Sequence, residues 1–195
     1  MGFEFSTLPS DYEFALPGSS VVLRRVNAEN FENMWQLLNN NRQELHPLNP
    51  GITAEKPTSE ELYAIKVEGR SAVPTIHFGI WDSEELVGHI YLREQQRDVI
   101  GNTHVPSADK KEIGFFIDKS RYGRGYATEG VRAITEFAFN VLGVEVVTAL
   151  VKETNPASAR VLQKASFEHV DNVKIKDLPE SFGINWLFAR ERDSS

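Results

Sequence analysis

The sequence predicts an α/β fold, a single mixed, mostly antiparallel central sheet of about seven strands flanked by about four helices. Short runs of β-branched and aromatic residues alternate with segments in which apolar residues recur every three or four positions. Two strand-like runs are joined by a short acidic turn, which indicates an antiparallel hairpin. The chain of 195 residues contains no repeat and no linker. One domain is therefore expected over 1–195, with 1–19 as an N-terminal extension.

The elements are expected in the order β-α-α-β-β-β-α-β-α-β-β. Asn27 is expected to cap the first helix, and Thr58 or Ser59 the second. Gly143 ends the long third helix. Asn155 opens the fourth, because the proline after it suits a first helical position. The strands are expected at 21–26, 75–81, 86–92, 112–117, 144–151, 167–173 and 184–190.

Composition and charge exclude several classes of protein. There is no cysteine, which excludes disulfides, thiolate zinc sites and cysteine nucleophiles. No segment approaches membrane-spanning length, so we expect a cytoplasmic protein without a membrane partner. The net charge of −7 disfavours direct nucleic-acid binding, because neutralising phosphates needs a surplus of Lys and Arg. It is compatible with a cationic partner, although such a charge also simply favours solubility.

A glycine-rich turn, R-Y-G-R-G-Y-A at 121–127, lies between a predicted strand and the long third helix. Gly123 and Gly125 allow backbone N–H groups to converge, and the helix start adds the positive end of its dipole, which suits a pyrophosphate. The turn lacks the Lys-Ser/Thr pair of a P-loop, and Thr128 stands where a Rossmann fingerprint needs Gly or Ala. An isolated Gly-x-Gly more often only tightens a turn. Its interpretation therefore depends on the neighbouring motifs.

Four segments in order resemble the GNAT superfamily of N-acetyltransferases, and within it the RimJ/RimL-type branch that acetylates the N-termini of ribosomal proteins. The element order over 21–190 also matches. Two positions depart from the pattern: Tyr122 replaces the usual Gln or Arg, with Arg121 just before it, and Ser166 replaces a glycine. The four segments are E-I-G-F at 112–115, Y-G-R-G-Y-A-T-E-G at 122–130, N-P-A-S at 155–158 and V-L-Q-K-A-S-F at 161–167.

The resemblance implies a GNAT fold, with acetyl-CoA as co-substrate and direct attack by a primary amine in a ternary complex. A backbone N–H near Phe116 or Ile117 would polarise the thioester carbonyl. No covalent enzyme intermediate and no metal are implied. The residues expected to bind acetyl-CoA are Phe116, Ile117, Tyr122, Gly123, Arg124, Gly125, Tyr126, Ala127, Asn155 and Lys164.

Glu112 is the expected catalytic base. Strand alternation places Glu112 on the same face as Gly114 and Phe116, next to the glycine turn. A carboxylate in a partly apolar cleft can have a raised pKa, which suits it to accept a proton from an ammonium group. It would otherwise be a solvated residue at a strand end. Asp177 and Glu180, before the last strand, are the alternative bases.

Ser158 is the expected catalytic acid. It lies one helical turn after Asn155, so both side chains can face the same way. The Ser158 hydroxyl would donate to the leaving sulfur while the Asn155 amide holds the pantetheine arm. Helix capping by the same pair is the structural alternative, and the two roles are compatible.

The acceptor remains open at this point. The resemblance favours the α-amino group of a protein or peptide; a small amine (a polyamine, an aminoglycoside or an aminoacyl-nucleotide) and a non-catalytic acyl-CoA sensor are the alternatives. The loops expected to select the acceptor, at 45–52, 97–110 and 171–181, carry no readable motif. The five histidines show no metal-ligand spacing, and His89 is the one expected beside the acceptor cleft. A monomer and a homodimer fit equally well.

Overall fold

The computed structural model of the protein describes residues 7–49, 52–94, 99–100, 110–175 and 183–193. None of the helices in these ranges is long and apolar enough to cross a membrane. The strands are β1 (Glu13–Phe14), β2 (Val22–Arg25), β3 (Thr75–Asp82), β4 (Glu85–Glu94), β5 (Val99–Ile100), β6 (Lys110–Ile117), β7 (Val146–Lys152), β8 (Glu168–Ile175) and β9 (Asn185–Glu191). The α-helices are α1 (Phe31–Asn40), α2 (Arg42–Leu45), α3 (Ser59–Lys66), α4 (Tyr126–Asn140) and α5 (Pro156–Lys164).

The described strands form one sheet in the order β1-β2-β3-β4-β6-β7-β9-β8-β5. Neighbouring strands are antiparallel, except that β6 and β7 are parallel. The predicted mixed, mostly antiparallel sheet is therefore confirmed. The sequence did not predict β1, β5 or α2, because segments of two to four residues are too short to show a periodic pattern.

Helices α4 and α5 cover one face of the sheet and form the main core. Alternate residues of each central strand point to this face, as period-two strands require. Ile113 and Ile117 of β6 lie here, and Gly130 of α4 packs closely against Ile80 of β3. Fully buried members of this core include Phe78, Ile90, Ile134, Leu162 and Phe188.

Helices α1 and α3 cover the opposite face with two smaller apolar clusters. Phe116 of β6 packs against both of them. The other strand residues on this face are largely polar or small. This face therefore carries both the predicted base Glu112 and the side chain of Phe116.

The helix starts confirm two predicted caps and correct one. Thr58 caps α3 in a reciprocal capping box with Glu61, and Asn155 caps α5, with proline at the first helical position. Asn27 does not cap α1, which begins only at Phe31. Instead, the Asn27 side chain accepts hydrogen bonds from two backbone N–H groups in the turn before the helix. The predicted cap at Asn27 is therefore wrong: its side-chain hydrogen bonds close a local Asx-type turn before the helix.

Candidate functional site

The parallel strands β6 and β7 separate along their length. They pair only from Lys110 opposite Val146 to Ile113 opposite Ala149. Beyond that point β6 remains paired with β4 as far as Ile117, while β7 remains paired with β9. A gap therefore opens between residues 114–117 and 150–152, at the carboxyl ends of the two parallel strands. Ligands of open α/β sheets commonly bind at this end of the strands.

The glycine turn lies directly after β6, at the mouth of this gap. Gly123 and Gly125 have φ angles of 78° and 88°, a left-handed conformation that costs L side chains energy and glycine nothing. Gly125 is the N-cap residue of α4, and no side chain caps this helix start. The first N–H groups of α4 therefore face outwards without a capping side chain, as an anion site at a helix N-terminus requires.

Neighbouring elements hold the turn in place. The Arg121 guanidinium pairs with Glu85 of β4, and the Tyr126 hydroxyl donates to Asp82 of β3. The Glu129 carboxylate accepts hydrogen bonds from the Ser19 hydroxyl at 2.7 Å and the Ser20 backbone N–H at 2.8 Å. These donors hold the pKa of Glu129 below its ordinary value despite partial burial. Tyr122 itself is 60% exposed, so its ring projects into solvent.

Asn155 and Ser158 stand on the other side of the gap, where β7 leads into α5. Asn155 Oδ1 accepts from the Ser158 backbone N–H at 3.2 Å, and Asn155 Nδ2 donates to the Ser158 hydroxyl at 2.9 Å. The capping role expected of the pair is therefore present. Since the hydroxyl oxygen already accepts from Asn155, its own proton is directed towards another acceptor.

Glu112 lies two residues before the gap, in the part of β6 that still pairs with β7. Its carboxylate is 4% exposed and forms an ion pair with Arg93 of β4 through Oε1. Its Oε2 is buried and has no hydrogen-bond partner among the described residues. It shares its face of the sheet with Gly114 and Phe116, as predicted from strand alternation.

Two further expectations concern positions away from the gap or outside the described ranges. Lys164 is exposed at the last position of α5, roughly 9 Å along the helix axis from Ser158. Its backbone oxygen accepts from Arg132 of α4 at 2.6 Å. The alternative bases Asp177 and Glu180 lie outside the described residues, as does most of the 97–110 loop.

Ser166, which stands before Phe167 where the motif has a glycine, adopts a backbone conformation that glycine favours. Ser166 has a φ angle of 66°, in the region that favours glycine. The turn after α5 thus keeps its shape, with a small strain at Ser166 in place of a freely accommodated glycine.

Sequence reasoning did not find a buried cluster of three nitrogen bases on the α3 side of the sheet. Lys66 of α3, His77 of β3 and His89 of β4 meet there. The detectable signal was the alternation of polar residues in successive strands: His77 and Gly79 in β3, then His89, Tyr91 and Arg93 in β4.

Comparison with known proteins identifies a domain over most of the chain. Residues 20–168 match the acetyltransferase (GNAT) domain family. The probable N-acetyltransferase YjcK of Bacillus subtilis (strain 168) is 33% identical over 104 residues, which cover 52% of this chain and 52% of that protein. The FsC-acetyl coenzyme A-N(2)-transacetylase of Aspergillus fumigatus is 35% identical over 63 residues, 32% of this chain and 27% of that protein. The matches thus span about half, or less, of these relatives.

Solved structures share the fold over nearly the whole chain. AAC(6')-Ib in complex with ribostamycin and coenzyme A has a TM-score of 0.72 and 20% identity, covering 89% of this chain and 94% of that one. The ribosomal-protein-S5-alanine acetyltransferase from Vibrio fischeri has a TM-score of 0.71 and 17% identity, covering 94% and 98%. Since both kinds of enzyme are similar to this degree, the RimJ/RimL-type branch stays a prediction. The domain match and the shared fold show that the chain belongs to the GNAT acetyltransferase family.

Proposed function

We propose that the protein transfers an acetyl group from acetyl-CoA to a primary amine, and that the acceptor is the α-amino group of a protein or peptide. The observation that carries the proposal is the gap between β6 and β7, with the uncapped start of α4 at its mouth. The turn would bind the pyrophosphate through the backbone N–H groups of 123–127, with Arg124 as a nearby cation. The pantetheine arm would then extend between the separated strands, beside Asn155.

The chemistry needs a polarised carbonyl, a proton for the leaving sulfur and a neutral amine. The backbone N–H of Ile117 would supply the first, because it faces the gap, where β7 no longer pairs with this part of β6. The Phe116 N–H faces β4 instead, because Asp118 two residues on donates to Val87 of β4. The Ser158 hydroxyl would supply the second. The third task is removal of the ammonium proton. Glu112, the base that the sequence predicts, is one candidate for it, and its carboxylate already pairs with Arg93.

Two features bear on the acceptor. The resemblance to RimJ/RimL-type enzymes favours a protein N-terminus, and the net charge of −7 attracts basic peptide tails. Small cationic amines are the second candidate, because structures of AAC(6')-Ib with ribostamycin and with kanamycin are among those that share this fold. Negative charge favours both, so charge alone does not separate them.

Calorimetric titration with acetyl-CoA tests the cofactor site. A bulky side chain in Gly125→Trp would fill the turn, so we expect binding to weaken at least about a hundredfold, or roughly 2.7 kcal/mol. Gly143→Trp is the matched control. Gly143 has a similar φ angle of 70° with open space around it, and it follows the opposite end of α4. The control should bind acetyl-CoA like the wild type.

If the folded wild type does not bind acetyl-CoA, the proposal is wrong. If it binds, CoA release with a panel of peptides and small amines identifies the acceptor class. Turnover confined to peptides with a free α-amino group supports the protein acceptor, and turnover confined to aminoglycosides or polyamines replaces it with the second candidate. Binding without turnover on any amine would favour an acyl-CoA sensor.

A further inference from the structure

The buried nitrogen cluster outside the predicted site consists of Lys66, His77 and His89. Lys66 Nζ lies 3.2 Å from His77 Nδ1 and 3.1 Å from His89 Nε2, and the two imidazole nitrogens are 3.2 Å apart. Both histidines are buried. The Lys66 residue is half-buried, but its amine lies between the two buried rings. Three basic nitrogens thus contact one another pairwise, an arrangement that a globular core does not need for packing.

The hydrogen bonds within this cluster can be formed with different numbers of protons on its three nitrogens. When the Lys66 amine is neutral, the N–H of one imidazole can donate to the nitrogen of the other ring, and Lys66 makes the remaining hydrogen bonds of the cluster. With a protonated amine, Lys66 donates to both rings, and His77 must then carry its own proton on Nε2. His77 Nε2 is buried without a partner among the described residues, so neither tautomer is locked by a neighbour. The cluster can therefore gain a proton by a change of tautomer without a change of fold.

Burial and the surrounding charges lower the pKa values of all three groups, which disfavours protonation of the cluster. Burial lowers the pKa of Lys66 from 10.5 to about 7. Burial, followed by the nearby Lys66 and Arg93 cations, lowers the pKa of His77 well below 6.5. The pKa of His89 is lowered in the same way, with Lys66 and His77 as the charged neighbours. Among the described residues of β6, the strand next to β4, the only carboxylate is that of Glu112, and it is already paired with Arg93.

Tyr91 packs beside the cluster on the side of the gap. Its ring centroid lies 6.0 Å from that of His77 and 6.2 Å from that of His89. Its hydroxyl lies directly over Gly114 and would collide with any side chain there. Gly114 is the first residue of β6 beyond the pairing with β7. The Tyr91 side chain therefore lies between the gap and the three nitrogens.

We propose that the Lys66–His77–His89 cluster accepts the proton released by the bound ammonium group of the acceptor. This inference rests on the proposed acetyl transfer and gives it a base in place of Glu112. An N–H bond of the ammonium breaks and an N–H bond forms on the cluster. The neutral amine attacks the thioester carbonyl, and the C–S bond breaks. A second proton then leaves the amine nitrogen and protonates the leaving sulfur, which departs as the free thiol. The cluster then returns its proton to solvent.

The pH dependence of kcat at saturating acceptor tests the assignment, because it reports groups that titrate in the bound complex. For the wild type we expect kcat to rise with pH through an apparent pKa near that of Lys66. Lys66→Met removes the amine without leaving a buried charge, and Lys66→Arg keeps a permanent cation at the same place. In both variants kcat should lose this rise, and at pH 8 it should fall about a hundredfold, the lower end of the usual range for general-base catalysis.

Two matched variants separate this role from others. Lys174→Met removes an exposed lysine of β8, on the other side of the sheet order from β3 and β4, and should leave the profile unchanged. Glu112→Gln should keep the rise near neutrality, even if the rate falls. A Lys66→Met enzyme with the wild-type rate and profile would overturn the inference, as would a Glu112→Gln enzyme that loses the rise. A wild type that binds acetyl-CoA but acetylates no amine would overturn the proposed function and this inference together.

Discussion

A single amide at the start of α5 has two tasks that involve the same neighbour. Asn155 Oδ1 caps the helix by accepting from the Ser158 N–H, and Asn155 Nδ2 donates to the Ser158 hydroxyl. A hydroxyl oxygen held as an acceptor on one side has its proton free to turn to the other. The capping hydrogen bond and the proposed acid role therefore support each other. Local stability and chemistry are encoded in the same four residues, N-P-A-S.

Ser158→Ala tests the acid role at the scale of one atom. The Asn155 cap to the backbone N–H should survive, so folding and acetyl-CoA affinity should stay close to those of the wild type. We expect kcat to fall at least about tenfold, because the leaving thiolate loses its donor. Single-turnover rates together with calorimetry separate the two quantities. Ser71→Ala, which removes a hydroxyl in the loop before β3, controls for loss of a serine alone. Equal rates for Ser158→Ala and the wild type would contradict the role.

Local signals explain which site residues the sequence could predict. Gly125, Asn155 and Ser158 belong to short motifs whose geometry is decided within one turn, so the left-handed turn and the helix cap could be predicted locally, while their roles in acetyl transfer stay predictions. The Lys66 cluster was missed, because its three nitrogens come from α3, β3 and β4 and meet only through strand register. Polar alternation in the strands was visible, but register decides which of those polar residues are neighbours.

At the scale of elements, α3 is the short helix that carries Lys66 into the sheet face. It has eight residues, so its own propensity is marginal and its ends matter. Thr58 accepts from the Glu61 N–H, and Glu61 in turn accepts from the Thr58 N–H at 2.7 Å. Leu62 is its buried anchor, one turn before Lys66. The cap and this anchor together fix where the Lys66 amine lies.

Thr58→Ala should therefore destabilise α3, the helix that positions the Lys66 amine. We expect a loss of about 1 kcal/mol in the free energy of unfolding, the usual cost of removing such a cap. Urea unfolding measures that cost. Ser59→Ala, at the next position but outside the capping box, is the control and should cost less. Should both variants unfold at the same urea concentration, the capping box would not contribute as the structure indicates.

Element order and type were predictable over most of the chain, because long amphipathic and β-branched runs carry strong periodicity. Boundaries were less so: α1 begins four residues after Asn27, since Asn27 hydrogen-bonds the turn instead. The gap between β6 and β7 was not predictable at all from their residues. Nothing in the residues of either strand marks the point where their pairing stops. Their separation follows from continued pairing with β4 and β9, which is a property of the whole sheet.

At the scale of the whole molecule, the described titrating groups favour folding at mildly alkaline pH. Below pH 6.5 the unfolded chain protonates His77 and His89, whereas the folded protein resists protonation. Stability therefore rises with pH in that range, because the unfolded state binds more protons. The carboxylates of Glu61 and Glu129, whose pKa values are lowered, act in the same direction at lower pH. The pKa of Tyr126 is raised above 10.0 by its bond to Asp82, so stability declines again only above that value.

Lys66 extends this rise through the physiological range, and a substitution isolates its part. Between about pH 7 and pH 10.5 the unfolded chain keeps the Lys66 proton that the folded protein has released, which corresponds to a slope of about 1.4 kcal/mol per pH unit for one full proton. We expect the wild type to gain roughly 2 kcal/mol in the free energy of unfolding from pH 7 to pH 9, allowing for partial exposure of the residue. Lys66→Met should be more stable than the wild type at pH 6 and should lose this slope. Lys174→Met should keep it. Urea unfolding at each pH gives the three profiles, and parallel curves for the wild type and Lys66→Met would mean that the Lys66 amine is protonated alike in both states and is no proton acceptor.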